Sequence, residues 1–233
     1  MKNTQSNLQA KEEAAIRSLN FVKNKMKIGL GTGSTTAIAI KKLAEKVKHE
    51  NLDIQCCTTS FQSFLIAREH GLLVFPVQYF SELDLTIDGA DEVDPQLNLI
   101  KGGGAAHTLE KIVHSMSNQF ICIVDETKHV SRLGEKFPVP IEVIPEAIAI
   151  VQKQIEKLNP LDIQIRLAQK KDGPIITDKG NFVLDVYFNQ FEPEELEIKL
   201  NSIPGVVENG IFAIYKPHIL ITGGKSEIKY RNS

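Results

Sequence analysis

Cysteine is scarce in this chain of 233 residues, which has only Cys56, Cys57 and Cys122. The first two are adjacent, so the set fits neither a disulfide framework nor a zinc-ligand spacing. No stretch approaches the roughly 18 consecutive apolar residues of a membrane span, and the opening MKNTQSNLQAKEEAA lacks the apolar core of a secretory signal. An excess of one charge is also missing. Lys plus Arg number 27 and Asp plus Glu 29, giving a formal charge of -2. That balance excludes a strongly basic nucleic-acid surface and an acidic disordered chain, and no Lys/Arg stripe interleaves with aromatics. The expectation is a soluble cytoplasmic protein with neither a membrane nor a nucleic acid as partner.

What is present is enough apolar sequence, 42% of positions, to bury a sizeable core. Lys27–Leu30 reads as a short strand running into a glycine turn and then a helix to about Lys48, which is half of a βαβ unit. The pattern recurs. Ile54–Cys57, Leu72–Phe75, Leu83–Asp88 and Phe120–Val124 read as strands, and 8–22, Ser60–His70 and Ala105–Ser117 as helices. These strands lack strict alternation, as expected of strands covered on both sides. The fold class is therefore α/β, a Rossmann-like open and mostly parallel sheet with helices on both faces.

The texture changes after Arg132. Val139–Ile144, a helix opened by Pro145, Ile163–Leu167, Ile175–Thr177, Phe182–Phe188 and a helix over Glu194–Leu200 read as a small ferredoxin-like α+β domain. Ile211–Ile214 and Ile219–Ile221 are expected to return to the first domain. The predicted division is 1–132 with 208–233 for a discontinuous catalytic domain, and 133–207 for the small one.

Three segments can carry chemistry. In GLGTGSTT, residues 29–36, the glycines allow close approach of an anion to helix-terminal N–H groups, and Thr32, Ser34 and Thr35 add hydroxyls. The pattern is neither a Walker loop nor G-x-G-x-x-G. In LTIDGADEVD, Asp88 falls at a strand end, where open α/β sheets carry their sites, and Asp91 lies across a Gly-Ala turn from it. An ordinary surface turn would use the same residues. In LIKGGGAA, Gly102, Gly103 and Gly104 are a costly helix entry unless a ligand comes close. Lys101 precedes them and Glu110 follows, a cation and a carboxylate suited to enolate chemistry. Lys128, just beyond the Phe120–Val124 strand, can face the same edge. The histidines show no ligand spacing, so no metal is expected.

Together these motifs closely resemble the ribose-5-phosphate isomerase family of the A type. The matching blocks, in order, are GLGTGSTT, TSFQS at 59–63, LTIDGADEVD, LIKGGGAA with Glu110-Lys111, DETK at 125–128, PIEVIP at 140–145, TDKGNFVLD at 177–185 and IPGVVENGIF at 203–212. The resemblance implies interconversion of D-ribose 5-phosphate and D-ribulose 5-phosphate through a cis-enediol(ate), with no metal or organic cofactor, in the non-oxidative pentose phosphate branch. It implies that Glu110 moves the proton between C2 and C1 and that Lys101 stabilises the charged oxygen, with the N–H groups of Gly102, Gly103 and Gly104 assisting. Asp88 and Asp91 would orient hydroxyls and help open the ring. Thr32, Gly33, Ser34 and Thr35 would hold the phosphate, with Lys128 near the substrate and Lys11 reaching the phosphate. It further implies a homodimer, with tetramers in some members. His107 stands where the family more usually has an apolar residue. The alternative is a non-catalytic sugar-phosphate-binding regulatory domain, which would need the anion nest but not Asp88, Asp91, Lys101 and Glu110 together. A sugar-phosphate deaminase or an acyl-CoA transferase is the alternative within enzymes.

Overall fold

The computed structural model describes residues 2–225 and 228–231, with side chains from residue 7 onward. Met1, Ser226, Glu227, Asn232 and Ser233, which fall within the expected first domain, lie outside the described residues. The chain forms two compact units, 1–90 with 109–129 and 217–233, and 91–108 with 130–216.

In the first unit, helix α1 (Lys2–Ser18) precedes strand β1 (Lys27–Leu30), helix α2 (Ser34–Glu50), strand β2 (Gln55–Thr58), helix α3 (Phe61–Glu69) and strand β3 (Leu85–Asp88). The expected strand over Leu72–Phe75 is reduced to one bridge, Cys56 with Val74, because Pro76 has no N–H to continue it. The strands that follow in the chain, β4 (Glu92–Val93) and β5 (Leu99–Ile100), belong to the second unit. Helix α4 (His107–Ser115) then leads into β6 (Phe120–Asp125).

After β6 the second unit adds β7 (Val139–Val143), α5 (Ile148–Glu156), β8 (Asp162–Ile165), β9 (Phe182–Tyr187), α6 (Pro193–Asn201), β10 (Val206–Asn209) and β11 (Ile211–Phe212). The chain closes in the first unit with β12 (Ile219–Gly223) and β13 (Ile228–Tyr230).

The first unit's sheet runs β13-β12-β6-β3-β1-β2, parallel throughout except for β13. Its strands are short and β-branched. Alternate residues Ile28, Leu30, Leu85, Ile87, Ile121, Ile123, Ile219 and Ile221 pack one face against Ala14, Ala15 and Leu19 of α1 and Ala39, Ile40 and Leu43 of α2. Val113 of α4 joins Cys57, Phe80 and Leu83 in a separate cluster. Gly29 lets α4 lie close: a Cβ there would stand 2.5 Å from Val113 Cγ1 and 2.2 Å from Thr86 Oγ1. The three cysteines are buried, and burial pushes the Cys56 and Cys57 thiols up to about 12, so these two are core residues rather than nucleophiles.

The second unit contains an antiparallel sheet in the order β10-β7-β9-β8, with α5 and α6 as its helices, which is the ferredoxin-like arrangement. Val151 and Ile155 of α5 and Leu196 and Leu200 of α6 bury against Ile141, Val143, Leu184 and Val186. The expected strand over Ile175–Thr177 does not form. Pro174 carries no N–H, and Thr177 instead turns the chain, its hydroxyl accepting from the Asn181 N–H at 3.1 Å.

The boundaries also differ from those expected. A second, three-stranded sheet, β11-β5-β4, pairs Ile211 with Ile100 and Phe212 with Leu99. This pairing brings 91–108 and 208–216 into the second unit, whereas the sequence division places them in the first. No described helix is long and apolar enough to cross a membrane.

Candidate functional site

In the first unit, β1, β3 and β6 are parallel neighbours, so Gly31, Asp88 and Asp125 all emerge at the same edge of the sheet. The chain leaves β1 through Gly31-Thr32-Gly33 and enters α2 at Ser34. Gly33 has φ 115, a conformation that L side chains rarely adopt, and nothing lies within 4 Å of where its Cβ would be. Gly33 caps the seventeen-residue α2, whose first-turn N–H groups carry the positive end of the helix dipole. Gly33 and Ser34 are exposed, Thr32 is half-buried and Thr35 is buried. Lys11 of α1 places Nζ 3.1 Å from Ser34 Oγ. An open groove beside it is lined by Leu8, Lys11, Ser34, Ala37, Ile38 and Lys41. Two cations, hydroxyls and a helix N-terminus stand together here, the groups from which an anion site is built.

The loop is braced from two sides. Thr32 Oγ1 lies 2.8 Å from Thr59 Oγ1, and Ser63 Oγ donates to the Gly31 carbonyl at 2.5 Å. Ser60 caps α3 by accepting from the Ser63 N–H at 3.2 Å. The TSFQS segment is thus the second wall of the loop, a role its sequence alone did not disclose. From below, Asp88 Oδ1 accepts from Thr32 N–H at 3.0 Å and from Gly89 N–H at 2.7 Å. Asp88 is fully buried.

Gly31 is what permits this contact, since a Cβ there would fall 1.9 Å from Asp88 Oδ1. Gly31→Ala is therefore expected to destabilise the protein by about 1–3 kcal/mol, as overpacking does. Its kcat/KM on the substrate assigned below should fall as well. Denaturant unfolding and steady-state kinetics check both, and an unchanged variant would contradict the tight approach.

Glu110 stands on the first turn of α4 and is 4% exposed. His114, one turn further along the same face, is buried and places Nε2 3.0 Å from Asp88 Oδ2. Its ring stacks on Phe120 with centroids 3.7 Å apart. Lys128 closes the short helical turn after β6, where the Asp125 side chain accepts from the Thr127 N–H at 2.9 Å.

In the second unit, Asp91 is half-buried and its Oδ2 accepts from the Gly103 N–H at 2.7 Å. A Cβ on Gly103 would fall 2.8 Å from Asp91 Oδ1. Gly102 has φ 107 and its carbonyl accepts from Ala105 N–H at 2.9 Å, closing a turn that leaves Gly103 and Gly104 exposed. Arg166 fixes this turn. Its Nη1 donates to the Gly102 carbonyl at 2.7 Å while its Nε donates to Asp185 Oδ2 at 2.8 Å, and Nη2 completes a bidentate pair with that carboxylate. Lys101 is 2% exposed, its backbone N–H donates to Gly210 at 2.9 Å, and its Nζ lies 5.7 Å from the Phe212 ring centroid. His107 is buried behind the glycines, with Nδ1 2.7 Å from where a Gly102 Cβ would be.

The structure thus brings Asp88 to Thr32, Lys11 to Ser34, and Asp91 to Gly103. Thr59, Ser63, His114 and Arg166 were not singled out by motif. Only Thr59 and Ser63 lay in a matched block, and Arg166 carried no local signal because its partners are distant in sequence.

Residues 55–226 match the family model of ribose 5-phosphate isomerase A (phosphoriboisomerase A). Ribose-5-phosphate isomerase A of Methanothermobacter thermautotrophicus is 50% identical over 204 residues, 87% of this chain and 89% of that protein. The protein of the same name from Thermosynechococcus vestitus is 47% identical over 215 residues, 91% of each. The solved ribose 5-phosphate isomerase A of Methanocaldococcus jannaschii superposes with a TM-score of 0.91 at 42% identity, covering 96% of this chain and 98% of that one. A D-ribose-5-phosphate isomerase solved in complex with phospho-erythronic acid gives 0.90 at 46% identity, covering 94% and 96%.

Proposed function

The chain belongs to the ribose 5-phosphate isomerase A family and interconverts D-ribose 5-phosphate and D-ribulose 5-phosphate; from that premise we propose how its residues do so. The anion site at Thr32, Gly33, Ser34 and Thr35, with Lys11 beside it, takes the 5-phosphate. Lys128 adds positive charge at the same sheet edge. Holding the phosphate far from the reacting carbons contributes remote binding energy to the orientation of C1 and C2.

Asp91 and Asp88 orient sugar hydroxyls and assist opening of the furanose. Glu110 then removes the proton from C2 of the open aldose, and the C2–H electron pair becomes the C1–C2 double bond as the C1 carbonyl oxygen takes up negative charge. Lys101 and the N–H groups of the Gly102–Gly104 turn stabilise that oxygen. The same carboxyl returns the proton to C1, while the proton of the C2 hydroxyl passes to the C1 oxygen, leaving a ketone at C2 and a hydroxyl at C1. No electrons leave the substrate, so acid–base groups suffice and the proposal needs no cofactor. The homodimer, with a tetramer as the larger state, and a cytoplasmic location remain parts of the proposal.

The observation that carries the reading is the anion site of α2 built directly on Asp88, in the same unit whose α4 bears Glu110. The test is turnover of D-ribose 5-phosphate against unphosphorylated D-ribose after chelator treatment. The proposal expects ketose from the phosphate ester, kcat/KM lower by at least about a hundredfold without the phosphate, and competitive inhibition by phospho-erythronic acid. Saturable binding of the ester without ketose would favour the regulatory-domain reading.

A further inference from the structure

We infer that His114 is a positioning residue for isomerisation, acting through Asp88; this rests on the role proposed for Asp88 above. Asp88 ends β3, and its two carboxylate oxygens face different neighbours. Oδ1 receives the backbone N–H groups of Thr32 and Gly89 at 3.0 and 2.7 Å, while Oδ2 lies 3.0 Å from His114 Nε2. A carboxylate oxygen accepts, so the His114 Nε2–H is the donor in this contact. Both side chains are fully buried, which makes the bond short of competing water and directional.

The imidazole is itself fixed, stacked on Phe120 of β6. His114 lies four residues after Glu110 on α4, so the helix that carries the proton-transfer group is tied at its next turn to the carboxylate beneath the anion loop. His114 therefore fixes the second oxygen of the Asp88 carboxyl group and joins the end of β3 to α4. Catalytic geometry is sensitive to displacements well below 1 Å, so this tie should be felt in turnover more than in folding.

The test uses amide replacements in the full-length protein. In His114→Gln the side-chain Nε2 can occupy the place of the imidazole Nε2 and donate to Asp88, whereas in His114→Asn the amide is one bond too short. The expectation is that H114Q keeps kcat within about threefold of wild type and H114N loses about tenfold or more, with similar unfolding midpoints for the two. Combining each with Asp88→Asn completes the cycle: in the D88N background the difference between Gln and Asn at 114 should shrink to less than about twofold.

Equal activity of H114Q and H114N in the wild-type background would overturn the inference. So would a difference between H114Q and H114N that persists undiminished in the D88N background, or a loss of activity that only follows the unfolding midpoint. If D88N alone turns over like wild type, the role of Asp88 falls, and the inference falls with it. An impaired D88N with indifferent His114 variants removes the inference alone.

Discussion

Glu110→Gln is expected to lower kcat for D-ribose 5-phosphate by about a thousandfold, within the range that general acid–base catalysis contributes. Glutamine keeps the volume and shape of a side chain that is only 4% exposed, so the surroundings of α4 stay filled. What it loses is the ability to take a proton from C2 and deliver it to C1. The proposed anion site at α2 is untouched, so binding of the phosphate ester should survive, and KM should change by less than about fivefold. That split, turnover lost and binding kept, is the signature of an interaction made in the transition state. Loss of binding together with turnover would point instead to damaged packing around α4.

The second large effect is at Lys101. Lys101→Met is expected to lower kcat/KM by about a hundredfold, comparable to removing one oxyanion donor in other enzymes. Methionine is the better probe than alanine here. Lys101 is 2% exposed and its Nζ lies 5.7 Å from the buried Phe212 ring centroid, so truncation would leave a cavity and confuse stability with catalysis. The thioether fills that space without the charge. In the proposed mechanism the lysine acts on charge that develops only as the enediolate forms, so the loss should fall on kcat and not on KM. A methionine variant with wild-type kcat would remove Lys101 from the mechanism, and one that merely unfolds at lower denaturant would make it a structural residue.

Much of the layout was legible in the sequence because it rests on local signals. The glycines at 31 and 33, the hydroxyl run into α2 and the apolar strands Leu85–Asp88 and Phe120–Asp125 each announce their own conformation. From these follow the parallel sheet and the edge at which Asp88 emerges. Legibility ended where a feature depends on pairing between distant segments. Strand β5 is two residues long, and nothing in Leu99–Ile100 says that Ile211 and Phe212 will pair with it, so the boundary between the units was misplaced. Ile175–Thr177 has the apolar composition of a strand, but Pro174 and the Thr177 turn override it.

The site shows the same division. Glu110, Lys101, Asp88 and Asp91 stand in glycine-rich motifs whose cost invites explanation. His114 and Arg166 do not. Their meaning appears only when β3 is beside α4, and when Arg166, just past the end of β8, reaches back to the Gly102 carbonyl. Polar partners of this kind are chosen by three-dimensional neighbours, which no spacing rule encodes.

The measurement closest to the central claim is proton NMR of D-ribose 5-phosphate incubated in deuterated water with metal-free wild-type protein and with Glu110→Gln. The account predicts D-ribulose 5-phosphate from wild type, with deuterium at C1 to the extent that the enzyme-bound proton exchanges before its return, and neither ketose nor label from the variant on the same time scale. Ketose formed by the glutamine variant at the wild-type rate would contradict the account, because the proton would then be carried by some group other than Glu110.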